Sequence, residues 1–168
     1  EHVHFKNDYG TPKKLGHKSL AVSLSDIAAM GGYPRHAFLS LALPESTSLK
    51  WVDDFFAGFN QLAQNTGVRL LGGDTTRSLG PIAVNVSVVG DMLTQNIKRR
   101  GAAVPGDILC VTGYLGDAAA GLRILTENLP AKEEDAALVN QHLEPRAHLR
   151  EGQWLGEQGG VHAMLDLS

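Results

Sequence analysis

The sequence has one cysteine in 168 residues. No disulfide can close within it, and the expected setting is a reducing compartment, the cytoplasm. Cys110 sits in the apolar run Ile108-Leu109-Cys110-Val111 and is expected as a buried strand thiol rather than a reactive one. Cationic surplus is also lacking: 15 Lys and Arg against 18 Asp and Glu give a formal net charge of -3. There is thus no global attraction for nucleic acid or anionic membrane, and a phosphate ligand would need local basic groups or bound cations. No apolar run approaches the roughly 20 residues that span a bilayer. No secretory or transit segment opens the chain. Nowhere does a glycine-rich turn end in Gly-Lys-Ser/Thr, so the phosphate-cradling P-loop is missing. What remains is 43% hydrophobic and 20% charged, the composition of an ordinary globular chain.

Hydrophobic spacing predicts the elements. Val3-His4-Phe5 reads as the tail of a strand. A helix is predicted over 13–30, with Leu15, Leu20, Leu24, Ile27 and Ala28 on one face and Gly31-Gly32 as its stop. A strand follows over 36–43. Ser46 or Thr47 is placed to cap a helix over 49–65 that stacks Trp51, Phe55, Phe59 and Leu62, and Gly67 ends it. A short strand, 68–71, leads into Gly72-Gly73-Asp74. Ile82, Val84, Val86 and Val88 alternate, which points to a strand in an antiparallel sheet. The polar stretch 99–106, marked by Pro105, is a domain boundary and divides the chain into 1–100 and 101–168. The second unit is expected to open with a strand over 107–112. Helices near 117–126, 133–142 and 146–157 follow, and then the start of another strand over 161–167.

Four places could carry chemistry. Asp26 is the only charge between Lys18 and Arg35, on a helix otherwise made of small and apolar residues. A carboxylate there needs a pair, a hydrogen bond or a metal; a salt-bridged Asp near a helix end is the plainer alternative. Ser19 and Ser23 share its side of the helix. Asp74 follows two glycines and precedes Thr75-Thr76-Arg77. Glycine permits close backbone approach, Asp and Thr offer hard oxygen ligands for magnesium, and Arg77 could hold an anion. An ordinary hairpin turn explains the same residues. Asp117 reads as the N-cap of its helix, so the glycine-rich turn before it is structural. Asp166 and Ser168 lie two apart and share a face, a spacing that suits a metal-and-phosphate pair or a plain strand. Arg99 and Arg100 could grip a phosphate or sit solvated.

The run Leu20-Ala21-Val22-Ser23-Leu24-Ser25-Asp26-Ile27-Ala28-Ala29-Met30-Gly31 resembles a helix found across the aminoimidazole ribonucleotide synthetase superfamily. Gly72-Gly73-Asp74-Thr75-Thr76-Arg77 is similar to the version of that loop in the thiamine-monophosphate kinase family. So are Arg99-Arg100-Gly101-Ala102, Pro105-Gly106-Asp107, the segment from Thr112 to Gly121 and the closing Asp166-Leu167-Ser168. The resemblance runs in order over essentially the whole chain. It implies an α/β (α+β) fold: an N-terminal mixed or antiparallel sheet with helices on one face, which pairs with a second copy into a dimeric barrel, followed by the start of a second α/β domain. It implies a phosphotransferase that moves the γ-phosphoryl of ATP directly onto thiamine monophosphate at a site with several Mg2+ ions. By motif position, Asp26, Asp74 and Asp166 correspond to magnesium ligands. Gly73, Asp74, Arg99 and Ser168 correspond to ATP contacts, and His4 to a residue that meets thiamine monophosphate. Neither a nucleic acid nor a membrane partner is implied.

The sequence departs from the family pattern in places. An upstream Gly-Asp-Asp segment, a Thr-Asp pair and an Asp after Ser168 are not among these residues. The 168 residues are therefore expected, by themselves, to turn over near background. Two other readings stand beside the kinase. One is a superfamily synthetase of the selenophosphate or aminoimidazole ribonucleotide type, against which Asp74-Thr75-Thr76-Arg77 argues. The other is a non-catalytic dimerisation or nucleotide-binding module.

Overall fold

A computed structural model describes residues 1–2, 4–130 and 132–167. Helix α1 (Pro12–Ala29) begins at Thr11, whose hydroxyl accepts from the Lys14 amide, with Pro12 pre-setting the first turn. Strand β1 (Tyr33–Leu43) follows immediately. Helix α2 (Leu49–Thr66) is capped by Ser48, which accepts from the Trp51 amide at 3.1 Å, rather than by Ser46 or Thr47. Gly67, at φ 71°, ends it as expected. Strands β2 (Arg69–Arg77) and β3 (Ala83–Asp91) complete a three-stranded sheet of order β2-β1-β3.

The sheet is mixed. β3 runs antiparallel to β1, as its alternation predicts, while β2 runs parallel to it. Gly72-Gly73-Asp74-Thr75-Thr76-Arg77 is therefore the second half of β2 and not a hairpin turn. Gly and Asp are turn residues by frequency, but here the ladder from Phe38 to Leu43 pairs their backbone. Both long helices lie on one face of the sheet. Leu20 and Leu24 of α1, Phe55 and Phe59 of α2, and Ala37, Leu39 and Leu41 of β1 form a single buried core. Burying a side chain of this kind stabilises the fold by about 1.5–3 kcal/mol.

Beyond β3 the chain is helical: α3 (Asp117–Thr126), α4 (Ala136–Leu143) and α5 (Leu149–Glu157). Gly116, not Asp117, occupies the N-cap of α3, and Asp117 is its first helical residue. An acid there still favours the helix dipole. The strands expected over 107–112 and 161–167 do not form among the described residues. A strand needs a partner for its backbone groups; the two segments touch through a side chain, His162 Nδ1 to Asp107 Oδ1 at 2.8 Å, and among the described residues neither pairs its backbone in a ladder. Ile108, Leu109 and Cys110 are accordingly exposed, so the cysteine is not the buried thiol its apolar neighbours suggest. Phe5 and His4 are likewise not in a strand, and Val3 lies outside the described residues. Among the described residues no helix is long and apolar enough to cross a membrane.

Candidate active site

Two carboxylates predicted far apart in sequence meet at the C-terminal half of α1. Ser25 donates from its hydroxyl to Asp166 Oδ1. Asp26, next along the helix, is exposed, yet its carboxyl is held above the usual Asp range, first by partial desolvation and then by the negative charge of Asp166. The site therefore has an unneutralised concentration of negative charge.

The last helix carries Asp166 there. α5 lies against the end of α1 backbone to backbone: a methyl group on Gly152 would stand 2.3 Å from the Ala28 carbonyl oxygen, and one on Gly156 would stand 3.1 Å from Gly31 Cα. Gln153 Nε2 donates to the Gly32 carbonyl at 3.3 Å, and the Tyr33 hydroxyl donates to Glu157 at 3.3 Å. Lys98 is only 8% exposed, and its ammonium donates to the Gln158 carbonyl at 2.8 Å. A cation at that point also complements the C-terminal end of α5. The chain then runs from Gln158 to Asp166 beside Ser25. Gly152→Ala is expected to destabilise the protein by about 1–3 kcal/mol, since the added methyl must push two backbones apart. Its melting temperature should fall; an unchanged melt would show that the seam yields freely.

Asp74 does not join this pair within one chain. It pairs with Ser40 on β1, on the side of the sheet away from the core-facing Leu39 and Leu41. α1 packs over β3, and Ser23 Oγ donates to the Val86 carbonyl there at 3.2 Å. β2 lies two strand spacings away, about 9–10 Å. Among the described residues no three His, Cys, Asp or Glu side chains are grouped to hold a metal. Gly73 has φ 153°, and a Cβ there would stand 1.7 Å from the Leu39 carbonyl oxygen, so only glycine fits. It lines, with Asp74 and Thr75, a recess of about 230 Å³ floored by Leu39, Leu41, Phe56 and Leu70. Arg77 is paired with Glu45 at 2.7 Å on the surface, a bond worth little to stability and easily exchanged for an anion.

The remaining expected residues are scattered. Arg99 is exposed in the loop before a short 3-10 turn, Arg100–Ala102. His4 is exposed near the start of the chain. Ser168 lies outside the described residues. Of the two serines expected to share Asp26's side, Ser19 bonds the Leu15 carbonyl and Ser23 the Val86 carbonyl, so both are structural. Ser25, the residue beside Asp26, was the polar group the sequence pattern did not single out.

Residues 1–92 match the family described as AIR synthase related protein, N-terminal domain. The chain belongs to that family. It is 36% identical over 156 residues to a thiamine-monophosphate kinase of Bacillus subtilis, covering 91% of this chain and 48% of the relative. It is 39% identical over 167 residues to the thiamine-monophosphate kinase of Salmonella typhimurium, covering 98% of this chain and 50% of the relative. The chain spans about half the length of the curated relatives it matches. Among solved structures, AaThiL complexed with AMPPCP and TMP superposes with a TM-score of 0.89 at 31% identity, over 97% of this chain and 51% of that one. A hydrogenase maturation protein, HypE of E. coli, is 23% identical with a TM-score of 0.72 and shares the fold.

Proposed function

We propose that the whole protein is a thiamine-monophosphate kinase that transfers the γ-phosphoryl group of ATP to the phosphate of thiamine monophosphate. The observation that carries this is the meeting of Asp26 and Asp166 at Ser25, on a fold shared with a protein solved with AMPPCP and TMP. AMPPCP has the charge and shape of ATP, so a nucleotide triphosphate is the matching donor.

The donor set suits magnesium. Mg2+ prefers carboxylate oxygens supplemented by substrate phosphates and water, and a divalent cation relieves the Asp166 repulsion that adds to desolvation in raising the Asp26 carboxyl. Asp26 and Asp166 would hold it. When bound, the ion neutralises two anionic substrates and lets their phosphates approach in line. The residues of the chain bind and orient. Arg99 and Arg77 offer guanidinium groups to phosphate oxygens, and the recess beside Gly73 and Asp74 gives a flat group an apolar floor. We assign His4 as a contact for thiamine monophosphate, and Gly73, Asp74 and Ser168 as contacts for ATP, on the family motif alone. No side chain is asked to form a covalent intermediate. We take the reaction to be cytoplasmic, where ATP is supplied.

Asp74 enters through a second copy. Its position across the sheet from Asp26 keeps the two apart within one chain. The face it shares with Ser40 and Phe38 is open, and Phe38 is 42% exposed. We place this face against its equivalent in a homodimer, where Asp74 and Gly73 of one protomer reach the site of the other.

The test is a product assay on the full-length protein. ATP and thiamine monophosphate with Mg2+ should give ADP and thiamine diphosphate, and chelation by EDTA should abolish turnover. ATP consumption driven by selenide or by formylglycinamidine ribonucleotide, with none driven by thiamine monophosphate, would overturn the proposal.

A further inference from the structure

Among the described residues, the hydroxyl of Ser25 has no backbone partner. On the same helix Ser19 donates to the Leu15 carbonyl one turn back, the usual fate of a helical serine, and Ser23 donates to the Val86 carbonyl of β3. Ser25 instead reaches 141 residues along the chain to a carboxylate. Asp166 comes from a segment without regular structure, 158–167, that is anchored at its near end by Lys98. Among the described residues, the Ser25 hydroxyl is the hydrogen-bond partner of its carboxylate.

We propose that Ser25 is a positioning residue: its hydroxyl holds the Asp166 carboxylate beside Asp26 and so couples the C-terminal segment to the cation-binding end of α1. This rests on the two-carboxylate cation site proposed above. A hydrogen bond from a hydroxyl to one carboxylate oxygen restricts the torsion of the group and leaves its other oxygen available as a ligand. The bond is charge-assisted, which makes it stronger and shorter than a neutral one. Groups that orient a ligand in this way typically change metal affinity about 10–100-fold when removed.

The experiment titrates the full-length protein with Mn2+, read by the loss of the free-ion paramagnetic resonance signal. Ser25→Ala should weaken binding about tenfold while melting near wild type, since alanine is at least as good a helix former as serine. Asp166→Asn should weaken it further. The double variant should bind no more weakly than Asp166→Asn, because the hydroxyl acts only through that carboxylate. Wild-type affinity in Ser25→Ala overturns the proposal, as does a double variant in which the two losses add in full. If Asp26→Asn and Asp166→Asn also bind Mn2+ as wild type does, the cation site fails and Ser25 falls with it. If those two variants lose affinity and Ser25→Ala does not, the site stands and Ser25 alone is wrongly assigned.

Discussion

Co-expressed Asp26→Asn and Asp74→Asn subunits of the full-length protein should recover about a quarter of wild-type turnover, although each variant alone falls by about 10²–10³-fold. The expectation comes from the sheet. Asp26 lies on a helix that packs over β3, and Asp74 pairs with Ser40 on the opposite edge and face. If each site takes Asp26 from one protomer and Asp74 from the other, a mixed dimer has one site with both acids intact and one with neither. Random pairing makes half the dimers mixed, so about one site in four is whole. A pool that performs no better than its parents means that Asp74 serves its own protomer or has no part in the reaction.

Phe55→Ala is expected to cost about 3–5 kcal/mol. That is a large share of the 5–15 kcal/mol by which ordinary domains are stable. Phe55 is completely buried and lies at the centre of an aromatic row: its ring is 5.4 Å from Trp51, 5.8 Å from Phe56 and 6.4 Å from Phe59. It also packs where α1 crosses α2, and Gly16 is in backbone contact with it. A cavity there cannot collapse without moving both helices. The melting temperature should fall by roughly 10 °C. Phe56→Ala, at a half-buried ring, is the control and should cost clearly less. Equal losses at the two positions would show that the core is not centred on Phe55.

Where the chain repeats its pattern, the fold is legible from sequence. The stacked aromatics of α2 and the alternation of Ile82 to Val88 each report a one-sided environment, so periodicity identifies them. β2 is different. Its first half, Arg69 to Leu71, looks like a strand, and its second half looks like a turn, because Gly72, Gly73 and Asp74 have low intrinsic strand preference. The parallel ladder with β1 overrides that preference, and it is a long-range fact that no local window contains. The apolar runs around Cys110 and Met164 fail in the opposite sense. They have the composition of strands, but among the described residues they meet through the His162–Asp107 side-chain bond and form no backbone ladder.

The site was legible in part for the same reason. Asp26 stands out because it is a lone charge on an apolar helix, and Asp166 because it follows the family pattern. Their meeting at Ser25 depends on the docking of α5, which the sequence shows only as Gly152 and Gly156 one turn apart and Gly31 far earlier in the chain. Lys98 gives no signal in a one-dimensional pattern either. A lysine in a polar stretch reads as solvated, and its burial follows from the path of the chain after α5.

That glycine seam makes the spacing of the two acids a matter of main-chain thickness. Side chains at a joint can be lengthened or shortened by mutation and can swing between rotamers, so a joint built from them has play. Where Gly152 rests on the Ala28 carbonyl, nothing remains to trim, and any substituent only adds distance. The joint thus works as a fixed gauge between the helix that carries Asp26 and the segment that carries Asp166.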